Sequence, residues 1–344
     1  MARKMNKIVY VLTTGGTINT YVDKSGVARV GDNTKNLVSS VKSSGIGIES
    51  KTLMAKGSAN LEPSDWAFIA KEVGSVIETR PDVGGIVILH GTDTMHYTAA
   101  ALSFMVQKPG IPIVLTGSMV SGSDKSSDAI SNFNAAVRVA SESDIAECVV
   151  VFSADAMGKT KMVIRGCRAR KINSIALNAF DSINAPPLAF VDEEGSIHYT
   201  IAGHVKRGLR SNLILDTKFE QRVVYIKQNP ALTSQTLRRF LRYARGAVIE
   251  GTGRGHVNES LLPTISEFQG PIVISTQALY GGEGIGAYDL GRKTLGLKNI
   301  IPSGDMPSET AFVKLMWCLA HSGSVRKTFL TNFCSEFGPD HVNN

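Results

Sequence analysis

Seven short runs rich in valine and isoleucine recur along the chain: KIVYVLTT, GGIVILHG, IPIVLTG and ECVVVF in the first half, then RVVYIK, GAVIEG and PIVIST in the second. They carry apolar residues on both alternating faces, and most close on Gly, Ser, Thr or His. A strand of that kind must be covered on both sides, as strands of parallel sheets flanked by helices are. Helical periodicity fills the gaps, at 63–78 after a Pro-Ser-Asp start, 94–106, 128–140, 234–245 and 308–321. The alternation implies right-handed βαβ units and open sheets whose ligands bind beyond the carboxyl ends of the strands. At 344 residues the chain exceeds one ordinary core. Between residues 185 and 220 the pattern weakens into APPLAFVDEEGSIHYT and a polar, basic stretch. The expected fold is therefore α/β, with two doubly wound domains of mainly parallel sheet. The larger N-terminal domain is expected over 1–190, a linker over 191–219 and a smaller C-terminal domain over 220–344. No repeat, low-complexity tract or heptad pattern intervenes.

Composition narrows the function classes. The chain is 43% hydrophobic and 19% charged, and it lacks any run of about 18 apolar residues, so no membrane span is expected. The opening MARKMNKIVYVLTTGG imitates a secretory signal. Its apolar run, 8–12, is too short, no small-residue cleavage site follows, and a glycine turn comes where a buried strand would end; a cytoplasmic protein is expected. Cys148, Cys167, Cys318 and Cys334 lie far apart, without metal-ligand spacing. A net charge of +7 raises nucleic acid as a partner. The densest basic cluster, Arg165, Arg168, Arg170 and Lys171, has no interleaved aromatic, and Arg238, Arg239, Arg242 and Arg245 recur at helical spacing like a solvated face. Nucleic acid is not the expected partner.

Three segments carry polar groups where chemistry belongs. TTGGTINT, residues 13–20, directly follows the first apolar run. Its paired glycines allow a sharp turn that presents Thr17 at the sheet edge beside free backbone N–H groups. The same glycines would serve a plain turn or a phosphate nest, although the segment lacks the spacing of a dinucleotide fingerprint and of a P-loop. HGTDTM, residues 90–95, closes a second run and sets the Thr92 hydroxyl beside the Asp93 carboxylate. These groups need partners if buried, and a helix N-cap is the simpler explanation. Lys171 in RARKINS is the third candidate, and residue pattern alone favours an exposed lysine.

Together TTGGTINT and HGTDTM, about 75 residues apart, resemble the two signature motifs of the bacterial-type L-asparaginase family. GSAN at 57–60, TGSM at 116–119, SSDAISN at 126–132, GTGRGH at 251–256 and GRKTLGLKNIIPSGDMPSETAFVKLMW extend the likeness over nearly the whole chain. The resemblance implies that Thr17 attacks a side-chain amide carbon, releasing ammonia and leaving an ester that water hydrolyses. It implies that Thr92, Asp93 and Lys171 form a second catalytic group, Lys171 being placed nine residues before Phe180 as in family members. Asp93 would bind the substrate α-ammonium and Ser58 its α-carboxylate, with backbone at Gly16 and Gly91 completing the substrate contacts. The physical logic agrees, since an amide is a poor electrophile and an alcohol nucleophile needs a base and an oxyanion site. The substrate implied is L-asparagine, with L-glutamine as the competitor, discriminated by about one methylene or roughly 1–3 kcal/mol. No metal or organic cofactor is required, and at least a homodimer, or a dimer of dimers, is expected.

Departures from the family pattern bear on detail. Ala59 stands where many secreted members have glutamine, and Arg254 where several have asparagine. The family's loop tyrosine corresponds either to Tyr21, only four residues beyond Thr17, or in another register to the place of Lys24. RKINSIALNAFDSIN and PSETAFVKLMW also resemble the amidase subunit of the archaeal glutamyl-tRNA amidotransferase. That subunit carries a further N-terminal domain, for which a first strand near Lys7 leaves no room, so a free-standing asparaginase is expected. A catalytically silent amino-acid or nucleic-acid binding protein is the alternative of another class, opposed by the joint presence of Thr17, Thr92, Asp93 and Lys171.

Overall fold

The apolar runs of the first half become the centre of one eight-stranded sheet. From one edge to the other the strands are Ile197–Tyr199, Ala189–Val191, Lys161–Arg165, Cys148–Ser153, Ile113–Thr116, Val83–Leu89, Ile8–Gly15 and Gly47–Lys56. The five from Cys148–Ser153 to Gly47–Lys56 pair in parallel, and the other three are added antiparallel. Val83–Leu89, Ile113–Thr116 and Cys148–Ser153 are buried at every residue, which is why their sequences are apolar on both faces. Helices Pro63–Thr79, Met95–Met105 and Ala129–Glu142 supply the covering layers. Helix Pro63–Thr79 starts on a capping box formed by Glu62 and Asp65, with Pro63 in the first turn. Contact between helix and sheet is close enough to dictate sequence at one point: a Cβ on Gly85 would lie 2.2 Å from the Ala140 carbonyl oxygen.

The computed structural model describes residues 8–22, 28–30, 34–41, 45–200 and 203–331. The chain divides into two units, Met1–Thr217 and Lys218–Asn344. The division falls later than the 190 bound read from the sequence, and the expected linker 191–219 is largely part of the first unit. Ile197–Tyr199 is an edge strand of the large sheet, Lys206 bridges to Ile145, and Ile214–Leu215 pairs with Val106–Gln107. These pairings use backbone groups, which a residue supplies whatever its side chain, so the segment folds without an apolar signature.

The second unit has its own four-stranded parallel sheet, in the order Val223–Lys227, Gly246–Gly251, Ile272–Thr276 and Ile300–Pro302. Its core joins Leu237 and Leu241 of helix Ser234–Leu241 to Ile249, Ile272, Ile274 and Ile300 of the strands. The doubly wound, mainly parallel architecture and the larger first domain agree with the sequence reading. Among the described residues no helix is long and apolar enough to cross a membrane, and no group of three or more His, Cys, Asp or Glu is arranged to hold a metal ion.

The densest basic cluster turns inward. Arg165 is buried and binds Glu147 at 2.6 Å, and Arg168 is fully buried. By contrast Arg238, Arg239, Arg242 and Arg245 are exposed, as the helical spacing predicts. Cys148, Cys167 and Cys318 are buried, and burial pushes the Cys148 thiol up. Cys334 lies outside the described residues.

Candidate active site

Strands Ile8–Gly15 and Val83–Leu89 are parallel neighbours, so the segments that follow them emerge side by side. The turn after the first strand depends on Gly15 and Gly16, both in the left-handed region at φ +111° and +83°. A Cβ on Gly16 would lie 2.3 Å from the backbone of Gly91, and one on Gly91 would lie 2.7 Å from Ser58 Oγ. Three of the expected substrate-contact positions therefore meet at van der Waals closeness, and bare backbone is what permits it. Thr14 Oγ1 donates to the Leu89 carbonyl at 3.0 Å and fastens the two strand ends. Thr17 then opens a single 3-10 turn, half-buried, above buried Ile18 and Asn19.

The second segment is organised by a histidine that no sequence pattern singles out. His90 is fully buried, with Nδ1 2.7 Å from the Gly91 carbonyl and Nε2 2.9 Å from Thr98 Oγ1. A carbonyl can only accept, so Nδ1 carries the proton and Nε2 receives the threonine hydroxyl. Burial lowers the imidazole to about 4 and keeps it neutral. Because the peptide is planar and trans, a Gly91 carbonyl turned toward His90 sends the Thr92 N–H the opposite way.

Thr92 is buried and Asp93 is 67% exposed at its side chain. The helix that follows, Met95–Met105, has Thr94 at its N-cap, and the Thr94 side chain makes no capping hydrogen bond. Helix capping is thus not the business of Thr92 or Asp93. Their partner is Lys171, whose Nζ donates to Thr92 Oγ1 at 2.8 Å and to Asp93 Oδ1 at 2.7 Å. Only 14% of the Lys171 side chain is exposed, which corrects the exposed reading that residue pattern alone favoured. The nine-residue spacing to Phe180 has a physical basis, since Ala169–Lys171 and Phe180–Ser182 form an antiparallel hairpin with Lys171 directly opposite Phe180. Phe180 packs on Phe152 at 4.8 Å and edge-on to His96 at 6.5 Å, which anchors the hairpin. Desolvation, with positive charge at Arg170 and Lys171, lowers His96 to about 3.

Ser58 is buried in the 3-10 turn Ser58–Asn60, and its carbonyl accepts from Thr94 Oγ1 at 2.7 Å. The structure thus joins Gly16, Gly91 and Ser58 by backbone proximity, and Thr92, Asp93 and Lys171 by hydrogen bonds. Backbone pairing puts Tyr21 opposite Arg29 in the hairpin of Thr20–Val22 and Ala28–Val30, and its side chain lies outside what is described. Lys24 lies outside the described residues.

Residues 8–202 match the family described as asparaginase, N-terminal, and residues 222–329 match the glutaminase/asparaginase C-terminal domain. The chain belongs to the asparaginase family. Among its relatives, an L-asparaginase of Thermococcus kodakarensis is 35% identical over 336 residues, spanning 95% of this chain and 98% of that protein. A subunit of the glutamyl-tRNA(Gln) amidotransferase of the same organism is 38% identical over 341 residues, spanning 96% of this chain and 76% of that protein. The solved structure of the thermostable L-asparaginase from T. kodakarensis superposes with a TM-score of 0.87 at 34% identity, covering 96% of this chain and 99% of that one. The two-domain, mainly parallel architecture is the family's own.

Proposed function

We propose that this chain hydrolyses L-asparagine to L-aspartate and ammonia through an ester on Thr17. The observation that carries the proposal is the Lys171 bridge to Thr92 and Asp93, within the same unit whose strand pairing sets Gly16 of the Thr17 turn against Gly91. Membership of a family whose relatives include L-asparaginases supports the substrate class.

Thr17 Oγ attacks the side-chain amide carbon while its proton passes to a base. The developing oxyanion needs donors fixed before it forms, and backbone N–H groups at Gly16, Thr17 and Thr92 are suited to it. The carbon–nitrogen bond then breaks, ammonia leaves with the added proton, and an aspartyl ester remains. Water attacks that ester, returns a proton to Thr17 and frees aspartate. Lys171 polarises the Thr92 hydroxyl, which orients the attacking group. The Asp93 carboxylate, largely open to solvent on one side and held by Lys171 on the other, receives the substrate ammonium, and Ser58 receives its carboxylate. Tyr21 is the base in this reading and Lys24 its competitor. A cytoplasmic enzyme working as a dimer or a dimer of dimers completes the proposal.

The test is ammonia release by the purified chain alone, with asparagine turned over faster than glutamine. A second reading draws on the 38% identity to the amidotransferase relative. It predicts ammonia release that depends on a partner subunit and charged tRNA.

A further inference from the structure

Asp128 occupies the N-cap position of helix Ala129–Glu142, the ordinary place for an aspartate that satisfies helix N–H groups. It makes no such bond. The nearest substitute is Ser127, whose Oγ accepts the Ala129 N–H. Asp128 is buried, 4% exposed, and its carboxylate instead takes the N–H groups of Met119 at 3.0 and 3.1 Å and of Val120 at 3.1 Å, with the Asn132 side-chain amide at 2.8 Å. Asn132 also donates to the Gly117 carbonyl at 3.0 Å. A buried carboxylate that forgoes its own helix to hold a loop must be explained by what that loop does.

Both ends of the loop reach the proposed catalytic threonines. At one end Gly117 packs so tightly that a Cβ there would lie 2.4 Å from the His90 carbonyl oxygen and 3.3 Å from Thr92 Cγ2. At the other end the Gly122 N–H donates to the Thr17 carbonyl at 3.2 Å. Behind Asp128 the donors run one way. Lys161 Nζ donates to Ser153 Oγ at 3.0 Å, and Ser153 Oγ to Asn132 Oδ1 at 3.1 Å. With its oxygen so occupied, the Asn132 amide can present only N–H groups to Gly117 and Asp128.

We infer that Asp128 is a positioning residue of the reaction, fixing the 117–122 loop so that Thr17 and Thr92 keep their mutual geometry. It touches no substrate itself. The inference rests on the proposed asparagine hydrolysis, in which a displacement of about 1 Å costs on the order of 10²-fold in rate. Asp155, partly exposed where Asp128 is buried, offers a control, because it also clasps its own loop through three N–H groups, those of Met157, Lys159 and Thr160.

The experiment compares wild type, Asp128→Asn and Asp155→Asn by steady-state kinetics on asparagine, thermal unfolding, and amide hydrogen exchange read on peptides spanning 13–19 and 117–122. In Asp128→Asn the side-chain NH2 group must face a donor, either the Asn132 amide or the N–H groups of Met119 and Val120, so one side of the clasp is broken while the volume is kept. The expected result is a kcat lower by roughly 30- to 100-fold, as a lost alignment demands, with KM changed less than about threefold and faster exchange at both peptides. Asp155→Asn should have a similar melting temperature and a kcat within about twofold of wild type. Wild-type kcat in folded Asp128→Asn, or equal losses in the two variants, overturns the inference. If Asp128→Asn does not fold, Ser127→Ala, which removes the hydroxyl that donates to the Val120 carbonyl and accepts the Ala129 N–H, should lower kcat several-fold at unchanged KM; an unchanged kcat overturns it. If wild type itself does not hydrolyse asparagine, the functional reading fails separately. Exchange at the 13–19 peptide then decides, faster exchange in Asp128→Asn supporting the link to Thr17 and unchanged exchange refuting it.

Discussion

Replacing Lys171 by methionine keeps most of the side-chain stem and removes the Nζ that bonds to Thr92 at 2.8 Å and Asp93 at 2.7 Å. Two costs to folding follow, and both are modest. The Asp93 carboxylate is 67% exposed, so water replaces its partner and the loss is below about 1 kcal/mol. The Thr92 hydroxyl is buried and loses a donor, a penalty of about 1–3 kcal/mol. In a unit of this size each kcal/mol lowers the melting temperature by about 2–4 °C, so the variant should still fold at 25 °C. Catalysis should suffer far more. A preorganised donor acting on charge that develops in the transition state is worth about 3–4 kcal/mol, or roughly 10²–10³ in kcat. Because that interaction strengthens only as the reaction proceeds, kcat and kcat/KM should fall together. The assay is ammonia release at saturating and limiting asparagine, beside a melting curve on the same sample. Near-wild-type kcat in a folded Lys171→Met variant would refute the catalytic role, and an effect confined to KM would reduce Lys171 to a neighbour of the Asp93 binding group.

Gly16→Ala should be severely damaging, because its Cβ would stand 2.3 Å from Gly91 backbone at a φ of +83° that L side chains rarely adopt; a soluble, fully active variant would show that the two strand ends are not packed as described. Acid should weaken the first unit through His90 and His96, lowered to about 4 and about 3 against 6.5 in the unfolded chain. As pH falls through 6.5 the unfolded state binds protons that the fold refuses, so stability is complete above 6.5 and declines below it, by about 3 kcal/mol for His90 alone at pH 4. Urea midpoints at pH 7.5 and 4.5 check this, and His96→Phe should flatten the dependence; a variant with an undiminished slope would contradict it. Tyr21→Phe should cut turnover strongly with little change in substrate affinity, and Lys24→Met much less; the reverse order would move the base to Lys24, and no effect of either would send the Thr17 proton by another route.

How far the sequence reveals the site depends on what holds each residue in place. Thr17, Thr92 and Asp93 sit just past buried strands whose apolar runs are unmistakable, and the glycines beside them mark the turns, so their location is legible. Lys171 is not, except through family likeness. Its burial comes from a three-residue hairpin whose other strand bears Phe180, and RARKINS carries no periodicity that distinguishes such a hairpin from an exposed loop. Strand Gly47–Lys56 escapes for the opposite reason. It lies at the sheet edge with mostly exposed residues, so its pairing with Ile8–Gly15 leaves no apolar pattern. The edge strand Ile197–Tyr199, also largely exposed, extends the first domain past the 190 bound in the same way. Asp128 is visible only as a helix start, because nothing in SSDAISN says that its carboxylate turns away from the helix toward Met119 and Val120.

The mechanism stands or falls on Thr17, rather than Thr92, carrying the acyl group. Rapid acid quench of the purified chain mixed with asparagine, followed by intact-mass analysis and peptide mapping, reads this out without intermediary. An added aspartyl mass is expected on the peptide containing Thr17, formed as ammonia is released and missing from Thr17→Ala, which should release no ammonia. An aspartyl mass on the peptide containing Thr92, or turnover by Thr17→Ala at the wild-type rate, would contradict it.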